Sequence, residues 1–506
     1  MLSLCLIVTG MDVLIIAMAL PNIQRGLGAT VGDLQWTVDG YSLGFGGLLL
    51  LAGGLADRFG RKLTLLVGLA FFLLFSVGAA FAPTTGALIG FRLAMGIGSA
   101  LIMPSTLAII KNVFPKEEQT KAVSIWTAAA GAGVPLGPIV GGLLLDHFWW
   151  GSIFLINVPF VGLTLLAALW LVPESRNDRH PGLDVVGVVL SVLGLATLVY
   201  GLIEAPRYGW GDPRTIGLLA LGVALLVAFV QWERRVTKPM LSSSLFRDAR
   251  FSGATGSIVC IAFALYGGLF ILTQYLQFGE LHDPLQTGLR LLVVCVLIIP
   301  SGLSPRVVQW LGLKFTVSAG IAVLAVGMAI LSTSDLASEG RALLGLGVIG
   351  FGLGLAMPAA ADSILAAAPA RQSGAGSAAT DASMQVGGAL GIAVIGSVLT
   401  TSYRGALPDL NGFAEPVRQS AQDSLGGAVS VAGGLGHSGS QLLASANAAF
   451  DTGLAHATFV GFVIAAIGAV FAAVMLPRRA VTPAGAAAGG SSAMIEALGD
   501  QKGASR

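Results

Sequence analysis

Apolar residues run along this chain in blocks of about 20, the length at which an α-helix crosses a bilayer, and not in the short alternating segments of a transmembrane barrel. The blocks fall at approximately 2–20, 38–56, 63–82, 86–110, 122–145, 152–172, 184–204, 214–232, 252–277, 286–304, 314–332, 342–362, 375–400 and 453–476. That pattern predicts fourteen membrane-spanning helices in an all-α protein. An even number puts both termini on one side, and the basic residues say which. Loops alternating along the chain (Asp57–Lys62, Lys111–Lys121, Arg176–Arg179, Arg234–Arg250, Arg306–Lys314, Arg371 and the C-terminal tail) hold 20 of the 28 Lys and Arg, seven lie in the opposite loops, and Arg92 lies inside a span. The crowded face is read as cytoplasmic, which gives a multi-pass protein of the cell membrane with both termini inside and the lipid bilayer as its chief partner. The first block starts almost at Met1 without a basic stretch before it, so the expectation is a retained first span, with a missing cytoplasmic tail left open.

Composition narrows the class further. Hydrophobic residues make up 55% of the chain and charged ones only 11%, against roughly 25% charged in soluble domains. A net charge of +2 points to no nucleic-acid partner. Cys5, Cys260 and Cys295 sit in apolar blocks and read as small hydrophobes, with neither a disulfide framework nor metal-ligand spacing. The five histidines are scattered. No metal site is expected, and without a GxxxxGK[ST] loop or a sizeable soluble domain neither an ATP-driven pump, a membrane enzyme nor a sensor is indicated. Two stretches are not apolar. Ser402–Thr452 is expected to be a long extracytoplasmic loop whose pieces Pro416–Val431 and Ser440–Phe450 form a short helical hairpin over the outer mouth. The tail after Pro477, rich in Ala, Gly and Ser, is expected to be disordered.

Within the blocks, two stretches stand out. In AGVPLGPIVGG, Ala132–Gly142, the residues Gly133, Gly137 and Gly141 recur every four positions and make a helix stripe without side chains, while Pro135 and Pro138 weaken the adjacent backbone ladder. Another helix can approach such a stripe, which ends on Gly142, very closely. In GGLADRFGRK, Gly53–Lys62, Gly54 and Gly60 let two helix ends and a tight loop pack together, Asp57 favours a helix N-terminus, and Arg58, Arg61 and Lys62 hold the loop at the cytoplasmic surface.

GGLADRFGRK resembles the loop signature of the major facilitator superfamily. RLAMGIGSALIMP, Arg92–Pro104, resembles its fourth-span motif, and AGVPLGPIVGG resembles a fifth-span motif found chiefly in its drug:proton antiporters and not in its importers. MDVLIIAMALPNIQRGL (Met11–Leu27), WTVDGYSL (Trp36–Leu43) and PESR (Pro173–Arg176) are similar to motifs of the fourteen-span antiporters, and the long loop before the last span fits them too. The resemblance covers nearly the whole chain and is strongest to the subgroup that exports quaternary ammonium and other lipophilic cations. It implies a six-helix bundle over 1–172, two inserted helices and a linker over 173–250, a second six-helix bundle over 251–476, and a tail over 477–506. It also implies halves that rock about a central site, work without a cofactor on the proton motive force, and function as a monomer. The glycine stripe is then expected at the seam between the bundles, and Asp57 and Arg61 as conformational latches.

Charge inside the membrane needs a reason, since an ionised carboxylate near mid-bilayer costs about 2.5–3.5 kcal/mol or more. Asp12 in the first span, Asp39 opening the second, Asp381 in the thirteenth and the cation Arg92 are the candidates for proton coupling. Protonation removes the cost of burying an acid and water access favours its ionisation, so the two events are coupled. Asp362, near a cytoplasmic helix end, reads as structural, and Glu204 lies away from the expected path. The chain departs from the subgroup at Ala382, Val386 and Ile298, where some members carry acids; fewer acids favour monovalent cations or neutral lipophiles as substrates. Trp126, Tyr266, Met384 and Gln385, together with Asp39 and Asp381, are the candidate substrate contacts through stacking, cation–π and charge interactions. The expected activity is proton-coupled export of lipophilic toxic compounds. An exporter dedicated to one natural product is the alternative, and a facilitative importer is disfavoured.

Overall fold

The computed structural model describes residues 2–175, 184–236, 245–279, 282–367, 373–410, 412–433 and 435–477. Every long element among them is helical: α1 (Leu2–Leu27), α2 (Val31–Phe59), α3 (Arg61–Ala80), α4 (Thr85–Val113), α5 (Lys116–His147), α6 (Ser152–Leu155), α7 (Asn157–Leu171), α8 (Val185–Tyr208) and α9 (Pro213–Glu233). There follow α10 (Ala249–Gln274), α11 (Pro284–Leu291), α12 (Ile298–Leu311), α13 (Leu313–Ser332), α14 (Glu339–Ala367), α15 (Ser373–Ala406), α16 (Glu415–Asp423), α17 (Leu425–Ala432) and α18 (Gly436–Met475). Helix boundaries follow local chemistry. Thr30 and Asp33 form a reciprocal capping box at the start of α2, Asp212 and Asp248 cap α9 and α10, and Gly60 (φ +112°) and Gly312 (φ +85°) break the chain between α2 and α3 and between α12 and α13. Only a residue without Cβ adopts those angles at little cost.

Ten helices among the described residues are long and apolar enough to span a bilayer, eleven if the two arms of α1, Leu2–Asp12 and Ile15–Leu27, bent by 46°, are taken together. Of the three remaining windows, 38–56, 122–145 and 286–304, the first two fall in α2 and α5, continuous helices of 29 and 32 residues in which some side chains lie outside what is described. The third is broken, with α11 and α12 joined by a 3-10 stretch over Leu292–Leu297. The π-turn at Tyr275–Gly279 similarly ends α10.

Packing divides the helices into two groups. In the first, α2 and α3 lie on α4, α1 lies on α5, and α7 closes against α3. In the second, α10 lies on α15, α14 and α18, α13 lies on α14 and α18, and α12 lies on α14. The groups meet along α2–α15 and α5–α11, while α8 and α9 pair with each other and α8 leans on both α2 and α15. The expected loop over 402–452 is much shorter than its sequence suggests. Its first helical piece is split in two at Ser424, which caps α17 through Gly427, and its second piece is the opening of the 40-residue α18. The expected disordered tail beyond Pro477 lies outside the described residues.

Candidate functional site

Arg92 of α4 is 1% exposed and its Nη1 donates to Asp12 Oδ2 of α1 at 2.6 Å, with Asp12 fully enclosed. Its Nε donates to the Thr37 carbonyl at 3.0 Å, and the guanidinium plane lies 4.5 Å from the Tyr41 ring centroid and 5.9 Å from that of Phe154. A buried cation is thereby paired, hydrogen-bonded and flanked by aromatic faces, the arrangement that makes a desolvated charge tolerable. The Asp12 pair sits next to the bend of α1. Asp12 Oδ1 has no hydrogen-bond partner among the described residues. Tyr41 points its hydroxyl to Ser99 Oγ at 2.9 Å, tying α2 again to α4.

Asp39 is different. It is fully enclosed, and neither carboxylate oxygen meets a donor among the described residues. Its place follows from helix periodicity: one turn before it Gln35 donates to the carbonyls of Ile392 and Ala393 of α15, and one turn after it Leu43 clusters with Ala389 and Ala393 of α15 and with Leu195 and Val199 of α8. Residues four apart share a helix face. Asp39 therefore stands on the side of α2 turned toward α15 and α8, on the seam between the two groups.

The second group brings Asp381, Gln385 and Gly388 to one face of α15 by the same spacing. Asp381 is half-buried. The Tyr266 ring of α10 lies against Gly388, where a Cβ would come within 2.9 Å of it. Gln385 packs its stem on Gly46 of α2, so it is a seam residue, and Met384 packs against the core. Trp126 donates to Thr106 Oγ1 at 3.1 Å, which fixes it to α4 within the first group. Sequence reading passed over Tyr41, Thr37 and Gln35 because it searched for charge. The signal was nevertheless present, since Thr37 and Tyr41 are one turn apart in a stretch that already contained Asp39.

Of the loop signature, Gly60 sits where a Cβ would meet the Glu174 carboxylate at 2.5 Å. Glu174 accepts from the Lys62 amide at 3.3 Å, Lys62 Nζ donates to the Leu169 carbonyl at 2.9 Å, the Arg61 amide donates to the Ser175 carbonyl at 2.8 Å, and Arg61 Nη1 reaches the Ala108 carbonyl at 3.4 Å. GGLADRFGRK and PESR, more than a hundred residues apart in the chain, form one joint. Arg58 is exposed and stacks over Phe59. Gly54 lies in the last turns of α2, and the side chains of Asp57 and Pro135 and residue Arg176 lie outside what is described.

The glycine stripe of α5 runs along its own group. A Cβ on Gly133 would run into the Ile7 carbonyl, and one on Gly141 would crowd Ile15 and Met18, all on α1. The seam between groups lies one residue round the helix, where Gly142 abuts Leu285 at 2.6 Å from an added Cβ and the Pro138 carbonyl abuts Gly288 of α11. Gly137 is buried with them. Glu204, on α8, stands 3.8 Å from Arg207.

Two packed helix groups, an enclosed ion pair and acids turned toward their seam define a membrane transporter. The Major Facilitator Superfamily profile matches residues 2–392, and the chain belongs to that superfamily. It is 33% identical over 482 residues to the multidrug efflux pump LfrA of Mycolicibacterium smegmatis, which covers 94% of this chain and 95% of that one. It is 36% identical over 403 residues to the tetracenomycin C resistance and export protein of Streptomyces glaucescens, covering 79% and 75%. Among solved structures, a bacterial homologue of the human lysosomal transporter Spinster superposes with a TM-score of 0.66 at 15% identity, covering 96% of this chain and 98% of that one. The xylose transporter XylE from E. coli gives 0.58 at 16% identity, covering 95% and 98%. These relatives are transporters and not enzymes, and the chain is a multi-span integral membrane protein of their family.

Proposed function

We propose that the protein is a proton-coupled antiporter that exports lipophilic compounds, monovalent cations or neutral molecules, from the cytoplasm or inner leaflet by alternating access. Its fourteen spans comprise bundles at 1–172 and 251–476 with an inserted pair within 173–250, both termini are cytoplasmic, and it works as a monomer in the cell membrane. The observation that carries this reading is the contrast between a locked Asp12–Arg92 pair and an enclosed, unpartnered Asp39 on the seam. A carboxylate shut away from water without a partner is stabilised by a proton, and wetting favours its ionisation. Rocking of the halves alternately wets and dries the seam, so proton uptake and release accompany the change of access. Asp381, half-buried beside Tyr266, faces a cationic substrate, and the Gly60–Glu174 joint holds the α2–α3 loop end at the cytoplasmic face. Function rests on the proton motive force without a cofactor, as in the exporters of this family.

The test is purified protein in liposomes, oriented with its cytoplasmic face outward and given an acidic lumen, with one monovalent cationic dye and one neutral lipophile. Both are expected to accumulate, and accumulation is expected to vanish when the gradient is dissipated. Uphill uptake with the pH difference and voltage both collapsed overturns the reading. A second reading, export of one natural product, is favoured by relatives named for resistance to tetracenomycin C, methylenomycin A and puromycin. A resistance profile confined to one compound across a panel of dyes and antibiotics decides for it.

A further inference from the structure

At the end of the protein opposite the Gly60 loop, the two halves are held together by glutamines. Gln24 of α1 donates to Ser424 Oγ at 2.6 Å, at the start of α17. Gln35 of α2 donates to the carbonyls of Ile392 and Ala393 in α15 at 2.8 and 3.1 Å. Gln277, in the π-turn after α10, donates to the Met18 carbonyl of α1 at 3.0 Å. All three side chains are buried, being 8%, 1% and 5% exposed. Their sockets are shaped for them: a Cβ on Gly396 would overlap the Gln35 amide, and one on Gly426 would stand 2.6 Å from Gln24 Oε1.

We infer that Gln24, Gln35 and Gln277 are the outer latch of the transport cycle, three neutral ties that hold the halves closed on the outside and are exchanged for water when that side opens. The inference rests on the alternating-access reading. The chemistry suits a bond that must break in every cycle. A glutamine amide can donate to a helix carbonyl through the lone pair left free by the helix, so neither helix has to unwind to receive it. None of the groups involved titrates in the physiological range, so parting them strands no charge. The ties are also incomplete in their geometry: Gln24 Oε1 and Gln277 Oε1 are enclosed without a donor among the described residues. An unmet buried acceptor lowers the stability of the closed seam, and water meets it once the seam parts.

The experiment is a distance measurement between spin labels at Gly86→Cys, beside the α3–α4 turn, and Gly405→Cys, at the outer end of α15, in a background with Cys5, Cys260 and Cys295 replaced by alanine. Both glycines are exposed and an added Cβ meets nothing within 4 Å. Gln24→Met, Gln35→Met and Gln277→Met keep volume while removing the donor, and Gly396→Ala displaces the Gln35 amide without touching Gln35. Gln35→Met and Gly396→Ala are each expected to raise the ratio of long to short distances about fivefold, the net worth of one neutral hydrogen bond; Gln24→Met and Gln277→Met also remove an unmet acceptor and are expected to raise it less, and two changes together to raise it further. Gly396→Ala should shift the ratio as Gln35→Met does. Distance populations in all four variants identical to wild type, in protein that remains monodisperse, overturn the latch. A wild-type distance that never responds to substrate or pH, combined with longer distances in the variants, upholds the ties and removes the rocking reading instead.

Discussion

In the first helix group, buried polar atoms bond across helices: Arg92 to Asp12 and Thr37, Tyr41 to Ser99, Asn157 to Ser76, and Trp126 to Thr106. In the second, the enclosed side chains Ser304 and Tyr403 also tie helices together, through the carbonyls of Leu355 and Ala421. Hydroxyls turn back on their own helix in both groups, Thr37, Ser105 and Thr164 in the first and several in the second. Ser257 donates to Gly253, Thr273 to Leu269, Ser383 to Ala379, Thr400 to Gly396 and Thr458 to Leu454, each to the carbonyl four residues earlier. What separates the groups is charge: an enclosed ion pair pins α1 to α4 in the first, whereas Ser304 and Tyr403 in the second tie helices through neutral groups. The difference assigns unlike tasks to the halves. A rigid half pinned by an ion pair can hold that pair and an enclosed acid in constant register, while a half tied through neutral bonds can adjust to substrates of varied shape.

The comparison is broken most severely at the ion pair. Asp12→Asn leaves Arg92 enclosed without its counter-charge, and arginine cannot give up its proton. Removing one partner of a buried pair costs about 3–5 kcal/mol, so the variant is expected to melt well below wild type and to lose gradient-driven transport. Arg92→Met should be milder, because an aspartate left alone can take a proton and become neutral. Combining Asp12→Asn with Arg92→Met should recover most of the stability but none of the uphill transport. Thermal melting of the three variants in detergent checks the order, and a single Asp12→Asn variant as stable as wild type contradicts the rigid-half account.

Asp39 gives the next largest effect, and on transport alone. Because its carboxylate has no partner among the described residues, Asp39→Asn removes no ion pair seen there and should leave melting unchanged. One proton carried inward across 100 mV supplies roughly 2.3 kcal/mol, a factor of about fifty in steady-state accumulation. Asp39→Asn is therefore expected to cut gradient-driven accumulation in proteoliposomes by about that factor while sparing exchange down a substrate gradient. Accumulation equal to wild type would remove Asp39 from proton coupling and leave the seam acid as packing.

Much of this was legible in the sequence, and the exceptions have physical reasons. Apolar blocks of spanning length announced most helices, and charge inside those blocks singled out Asp12, Asp39, Asp381 and Arg92 for proton coupling without saying which of them would pair. The break at Leu292–Leu297 was invisible, since that run contains neither Gly nor Pro; in the fold it lies against α14. The start of α18 was read as a separate helix because Ser440, Gln441, Ser445, Asn447 and Asp451 lower the hydropathy before the last apolar block without interrupting the helix. The stripe Gly133–Gly137–Gly141 correctly announced a close approach, but a stripe names no partner, and α1 fills it where the opposite half was expected. Gln24, Gln35 and Gln277 carry no charge and recur in no pattern, so nothing in the chain set them apart from ordinary polar residues near helix ends.

The smallest effect sharpens the comparison from the other side. If the second half is the adaptable one, its acid should matter only to cargo that carries charge. Asp381 is half-buried, so a cation beside it is screened to an intermediate degree. Such a contact lies between the value of about 1 kcal/mol in water and about 4 kcal/mol near a protein surface for charges 4 Å apart. Asp381→Ala is therefore expected to raise the half-saturating concentration of a monovalent cationic dye about tenfold, from about 1.4 kcal/mol of lost attraction, and to leave a neutral lipophile within about twofold. Melting should be unchanged, since the substitution strands no opposite charge in the way Asp12→Asn strands Arg92. Equal losses for charged and neutral cargo would mean that Asp381 serves the shared step of proton exchange. In that case the acids of the two halves would do one task together, and the division drawn between a fixed half and an adaptable one would fail at the residue where it is most directly measured.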